Sequence, residues 1–138
     1  MFLCLHGAGH SAMSFACLAK YLKVHSTVIA FDFRGHGDNC TENETDMSEE
    51  TLIRDTMEVL VFASGLFKDR SIILVGHSMG GSIATKTANK LQSEHASEEI
   101  AKQIQGLFVI DVVEGSAMDA LPFMENIVYS RPPEFKSL

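Results

Sequence analysis

The chain has 138 residues, 46% of them hydrophobic and 21% charged, with a mean hydropathy of +0.09. That composition suits a single globular unit able to bury a core and excludes a disordered tail. Eighteen acidic against 11 basic residues leave a formal charge of −7, and an acidic surface repels nucleic acid and anionic membrane alike. With no apolar run near the roughly 18 to 20 residues that span a bilayer, neither is expected as a partner.

In chain order, residues 1–5 form a short, continuously apolar run, the pattern of a strand buried on both faces. A helix is expected over 12–22 and a second apolar strand over 26–31. The segment 38–46, rich in Asn, Thr, Asp and Glu, reads as a loop. It leads into a helix over 49–66, with Ser48 as hydroxyl cap and Glu49 and Glu50 where the helix N-terminus favours acid. Leu52, Met57, Leu60, Val61 and Ser64 are expected on its sheet-facing side. Residues 71–75 make a third strand, followed by a helix over 79–91 with a second piece near 98–104. A fourth strand over 107–110 and a helix over 117–129, interrupted by Pro122, complete the series. Strands alternating with helices predict an α/β fold of about four parallel strands in one domain.

The third strand runs into Gly76-His77-Ser78-Met79-Gly80 and then straight into a helix, the setting of a nucleophile elbow. The flanking glycines are read as supplying backbone freedom for the turn, which lifts the Ser78 hydroxyl above the sheet. Ser78 is the expected nucleophile. Acyl transfer through a serine also needs a base, an acid to orient that base, and two N–H groups for the oxyanion. The N–H of Met79 is the first expected donor. The second is expected from His6-Gly7-Ala8-Gly9-His10, which resembles the HGGG-type loop with Ala8 in one glycine position, leaving Gly7 and Ala8 as alternatives. Asp111, at the end of the fourth strand, is preferred over Glu114 as the acid.

Hydrolases with this elbow order their triad as Ser, then Asp or Glu, then His, and no histidine follows His95. The base is therefore expected beyond residue 138, and residues 1–138 read as an incomplete α/β-hydrolase domain, its central part, with strands before it and a histidine-bearing part after it. His6 and His10 are read as shaping their loop and His77 as packing. Asp32-Phe33-Arg34-Gly35-His36-Gly37 is read as a structural turn in which Arg34 bonds carbonyls or Asp32. Cys4, Cys17 and Cys40 lack paired ligand spacing and read as reduced thiols of a cytoplasmic, or also nuclear, protein. Neither a metal nor another cofactor is expected.

Gly76-His-Ser-Met-Gly-Gly-Ser82, Leu5-His-Gly-Ala-Gly-His-Ser-Ala12 and above all Ile110-Asp-Val-Val-Glu-Gly-Ser-Ala-Met-Asp-Ala-Leu121 together resemble the protein phosphatase methylesterases. The similarity runs from Leu3 to the terminal Arg131-Pro-Pro-Glu-Phe-Lys-Ser-Leu138, with 91–105 the most divergent stretch. The resemblance implies a serine carboxylesterase with Ser78 as nucleophile and Asp111 as triad acid. It also implies a partner: the catalytic subunit of protein phosphatase 2A, whose C-terminal leucine methyl ester such enzymes remove. This chain by itself is expected to be inactive. The alternatives are a generic hydrolase of small esters and a noncatalytic, phosphatase-binding remnant.

Overall fold

The computed structural model describes residues 1–93, 98–111, 114–130 and 132. Four strands, β1 (Phe2–Leu5), β2 (Val28–Phe31), β3 (Ile72–His77) and β4 (Ile104–Ile110), form one parallel sheet in the order β2-β1-β3-β4. A 3₁₀ turn over Ala12–Phe15 leads into α1 (Ala16–Leu22), followed by α2 (Glu49–Leu66), α3 (Met79–Ser93), α4 (Glu98–Gln103) and α5 (Glu114–Tyr129). The expected alternation is therefore present. β4 starts three residues before the apolar run suggests, because Ile104 pairs with Ile72 and a register irregularity between Ile72 and Ile73 lets Gly106 face Ile73.

The core lies between the sheet and helices α2 to α4. Leu3 and Leu5 of β1, Ile72 and Leu74 of β3, Leu52, Leu60 and Ala63 of α2, and Ile83, Ala84 and Leu91 of α3 are all buried in one cluster. Cys4, Phe15 and Val75 form a smaller cluster on the other face. Cys4 is fully buried, and desolvation pushes its thiol up to about 11, which keeps it protonated and inert.

Three expectations change. Ser48 makes no side-chain cap at α2; instead Asp46 braces the start of the helix, accepting from Ser48 N–H at 3.1 Å and from the Thr51 hydroxyl at 2.8 Å. A carboxylate three residues before the helix reaches both groups, and these bonds hold its pKa below the usual range. Val61 points outward, whereas Ile53, Thr56 and Ala63 join Leu52 and Leu60 on the buried side. The sheet-facing stripe is rotated from the one expected, and Thr56 enters it by returning its hydroxyl to the Leu52 carbonyl at 2.8 Å. Finally, β4, apolar in the same way as the run over 1–5 that reads as buried on both faces, shows its side chains to solvent: Phe108 is 60% exposed, and Leu107, Val109 and Ile110 are exposed as well.

Candidate active site

Ser78 follows the last residue of β3 and precedes the first of α3, and its φ is +50°, a left-handed conformation that a serine rarely adopts. Its N–H donates to the Ile110 carbonyl at 2.9 Å, and its own carbonyl accepts from Gly81 and Ser82. These bonds hold the strained turn in place. The glycines flanking it serve space rather than dihedral freedom, since neither has a positive φ. A Cβ on Gly76 would stand 2.4 Å from the Gly80 oxygen, and one on Gly80 would stand 2.2 Å from the Leu5 oxygen. Helix α3 thereby starts directly against the end of β1, and Met79, as its first residue, has an N–H with no intrahelical acceptor. That N–H belongs to the peptide joining it to Ser78, where the expected oxyanion donor stands.

The loop after β1 lies against this elbow. A Cβ on Gly7 would approach Ser78 Cβ to 3.2 Å and His77 Nδ1 to 2.8 Å, so only glycine lets the loop backbone pass the nucleophile. Gly7-Ala8-Gly9-His10 is a turn closed by His10 N–H to the Gly7 carbonyl at 3.1 Å, with Gly9 at φ +70°. The N–H groups of Gly7 and Ala8 have no acceptor among the described residues, whereas that of Gly9 donates to His36 Nε2 at 2.9 Å. Gly7 and Ala8 thus remain the two available donors.

His6 is fully buried and both of its ring nitrogens are used. Nε2 accepts from Phe33 N–H at 3.0 Å, so Nδ1 carries the proton and donates to the Gly7 carbonyl at 2.8 Å. Burial lowers its pKa below the ordinary value, reinforcing the neutral ring. Asp32 accepts from Ala12 N–H at 2.6 Å and from Asp38 N–H at 3.2 Å, and the first of these bonds is the main cause of its depressed pKa. Arg34 does bond a carbonyl, that of Asn43 at 3.2 Å, but its carboxylate partner is Asp55 on α2 rather than Asp32. That pair is two-pronged, at 2.5 and 2.7 Å.

Asp111 lies one residue past β4, next to the Ile110 carbonyl that holds Ser78 N–H, and has a φ of +56°. Its side chain is 83% exposed, and Oδ2 is 4.0 Å from His77 Nε2. His77 in turn packs its ring 5.3 Å from that of His10. Asp111 and Ser78, the expected acid and nucleophile, are therefore brought to the same end of adjacent strands. Among the described residues no histidine nitrogen is hydrogen-bonded to the Ser78 hydroxyl. His6 and His36 are committed elsewhere, and His25 lies at the opposite, N-terminal end of the strands. Glu114, the competing carboxylate, and His95 have side chains outside the described residues.

Among the described residues no group of three or more His, Cys, Asp or Glu is placed to hold a metal, and no helix is long and apolar enough to cross a membrane. An open cleft between the turn after β2 and α2, lined by Phe31, Arg34, Asn39, Asp55 and Phe62, includes neither Ser78 nor Asp111.

Residues 2–137 match the family described as "Alpha/beta hydrolase family". The chain belongs to that family. Among curated proteins, this hydrolase is 43% identical to the protein phosphatase methylesterase 1 of Bos taurus, over 99% of the chain and 34% of that protein. It is 44% identical to the protein of the same name from Schizosaccharomyces pombe, over 96% of the chain and 38% of that protein. The chain thus spans about a third of the length of the curated relatives it matches. Among solved structures it superposes on E-2-(acetamidomethylene)succinate hydrolase with a TM-score of 0.69 at 26% identity, covering 92% of the chain and 43% of that one. A marine microorganism esterase gives 0.68 at 23% identity, covering 96% and 47%. Sequence reasoning missed Asp55 as the charge that anchors Arg34 in the turn after β2; its signal is an acidic residue on α2 facing an arginine in the preceding loop.

Proposed function

We propose that this hydrolase is a serine carboxylesterase whose substrate is the C-terminal methyl ester of a protein phosphatase, specifically the leucine methyl ester of the protein phosphatase 2A catalytic subunit. The observation that carries the chemistry is Ser78 held at φ +50° at the head of α3, with the Met79 N–H beside it and the Gly7-Ala8 backbone against it. The hydroxyl attacks the ester carbonyl, the carbonyl oxygen takes up negative charge between the Met79 N–H and that of Gly7 or Ala8, and methanol leaves. Water then releases the free carboxylate from Ser78. Asp111 orients the histidine that accepts and returns the proton, and that histidine is supplied from outside residues 1–138, which form the central part of the catalytic domain. The substrate assignment draws on the relatives named protein phosphatase methylesterase 1.

The test is methanol release from a methylated phosphatase tail by the full polypeptide that carries these residues. Ser78→Ala is expected to abolish turnover and leave the fold unchanged, whereas residues 1–138 alone should react slowly or not at all with a serine-directed phosphonate. Equal turnover of wild type and Ser78→Ala would sink the assignment.

A further inference from the structure

The loop read as carrying the second oxyanion donor is a turn of four residues, Gly7 to His10, and its geometry depends on one peptide unit. The bond from His10 N–H to the Gly7 carbonyl and the positive φ of Gly9, with Ala8 not in the left-handed region, define a type II turn. A type II turn differs from type I in the flip of its central peptide, here the unit joining Ala8 to Gly9. The N–H of that unit donates to His36 Nε2 at 2.9 Å, across 27 residues of sequence. The other ring nitrogen, Nδ1, lies 3.0 Å from the Arg34 carbonyl. An N–H facing Nε2 requires a lone pair there, and a carbonyl facing Nδ1 requires a proton there, so one neutral tautomer satisfies both.

We propose that His36 is a positioning residue for the oxyanion hole: as a neutral imidazole protonated at Nδ1, it pins the Ala8-Gly9 peptide and so holds the turn, with its Gly7 and Ala8 N–H groups, against Ser78. This rests on the reading of Ser78 as nucleophile. Turning the peptide over would point the Ala8 carbonyl at the ring's lone pair, so the bond from Gly9 N–H to Nε2 selects type II over type I. The base of His36 is itself well fixed. Arg34, whose carbonyl receives the ring proton, is locked to Asp55, and Asp32 holds Ala12 N–H on the far side of the same loop. Gly9 N–H is thereby spent on His36 and excluded as the oxyanion donor.

The first measurement needs no variant. Long-range ¹H–¹⁵N spectra of the histidine rings in the full polypeptide, at mildly alkaline pH, are expected to show the Nδ1–H form at His36, whereas free histidine favours Nε2–H. An Nε2–H ring at His36 overturns the proposal. The second uses p-nitrophenyl acetate. Removing an oxyanion donor outright costs about 10² to 10³ in kcat, and His36→Ala, which loosens a donor, is expected to lower kcat about tenfold with KM unchanged. His36→Gln places Oε1 where Nε2 stood and is expected to recover most of that loss. Unchanged kcat in His36→Ala, a loss confined to KM, or His36→Gln as slow as His36→Ala would each overturn it. Activity that survives Ser78→Ala condemns the nucleophile reading instead, and the tautomer alone then decides whether His36 sets the turn.

Discussion

The Ser78 corner and the Asp111 corner sit at the ends of neighbouring strands, yet they are held in opposite ways. Around Ser78 every flanking position is filled: Gly76 and Gly80 leave no room for a methyl group, Gly7 passes within contact distance, and the backbone bonds on both sides of the serine are made. Around Asp111 the backbone is tied to Ser78 through the Ile110 carbonyl, but the carboxylate is largely exposed and the preceding residues of β4 show apolar side chains to solvent. A strained turn persists only where its surroundings over-determine it. Both residues have positive φ, but only Ser78 is enclosed among the described residues. The described residues therefore fix the position of Ser78, while the Asp111 carboxylate is left largely to solvent.

The sharpest way to break this contrast is at the acid. In the full polypeptide Asp111→Asn is expected to lower kcat by about 10⁴ while leaving KM little changed, because the amide favours the wrong tautomer of the histidine it orients. Glu114→Gln should do far less, and the reverse order would mean that the acid is Glu114. Stability should run the other way. Gly80→Ala forces a methyl group onto the Leu5 and His6 carbonyl oxygens and is expected to cost about 3 kcal/mol or more, seen as a fall in the urea midpoint.

Acid should act on the filled side first. His6 is deprotonated more readily folded than unfolded, so below its ordinary pKa of about 6.5 the unfolded chain binds more protons. The stability it contributes is complete above that value and is lost as pH falls through the folded pKa. A urea midpoint that drops on going from pH about 7 to about 5.5 is expected, with a smaller drop in His6→Asn. A midpoint flat across that range in the wild type would contradict the buried, neutral His6. The smallest effect is expected at β4. A Cβ on Gly106 meets only Ile73 side-chain atoms at 3.6 Å, so Gly106→Ala should be tolerated and raise stability by about 0.4 to 1 kcal/mol. Destabilisation of the size expected for Gly80→Ala would show that β4 is as tightly packed as β3.

The strands, the long helix over Glu49–Leu66 and the elbow were legible in the chain itself, because each is written locally: apolar β-branched runs, a helical period, and G-x-S-x-G between them. What was not legible involves partners far apart in sequence. Apolar character told that β4 is a strand, but an edge strand and a central one read alike, and only the order β2-β1-β3-β4 reveals which is covered.

Sequence alone determined that the fold is α/β, that Ser78 heads a helix after the third strand, and that Asp111 closes the fourth, since spacing and residue type suffice for each. Tertiary structure decided why Gly76 and Gly80 must be glycine, which carboxylate pairs with Arg34, and how His6 and His36 spend their ring nitrogens. Steric room and hydrogen-bond direction are properties of atoms brought together across 20 to 30 residues, as in the Arg34–Asp55 and Gly9–His36 pairs, and no local pattern encodes them.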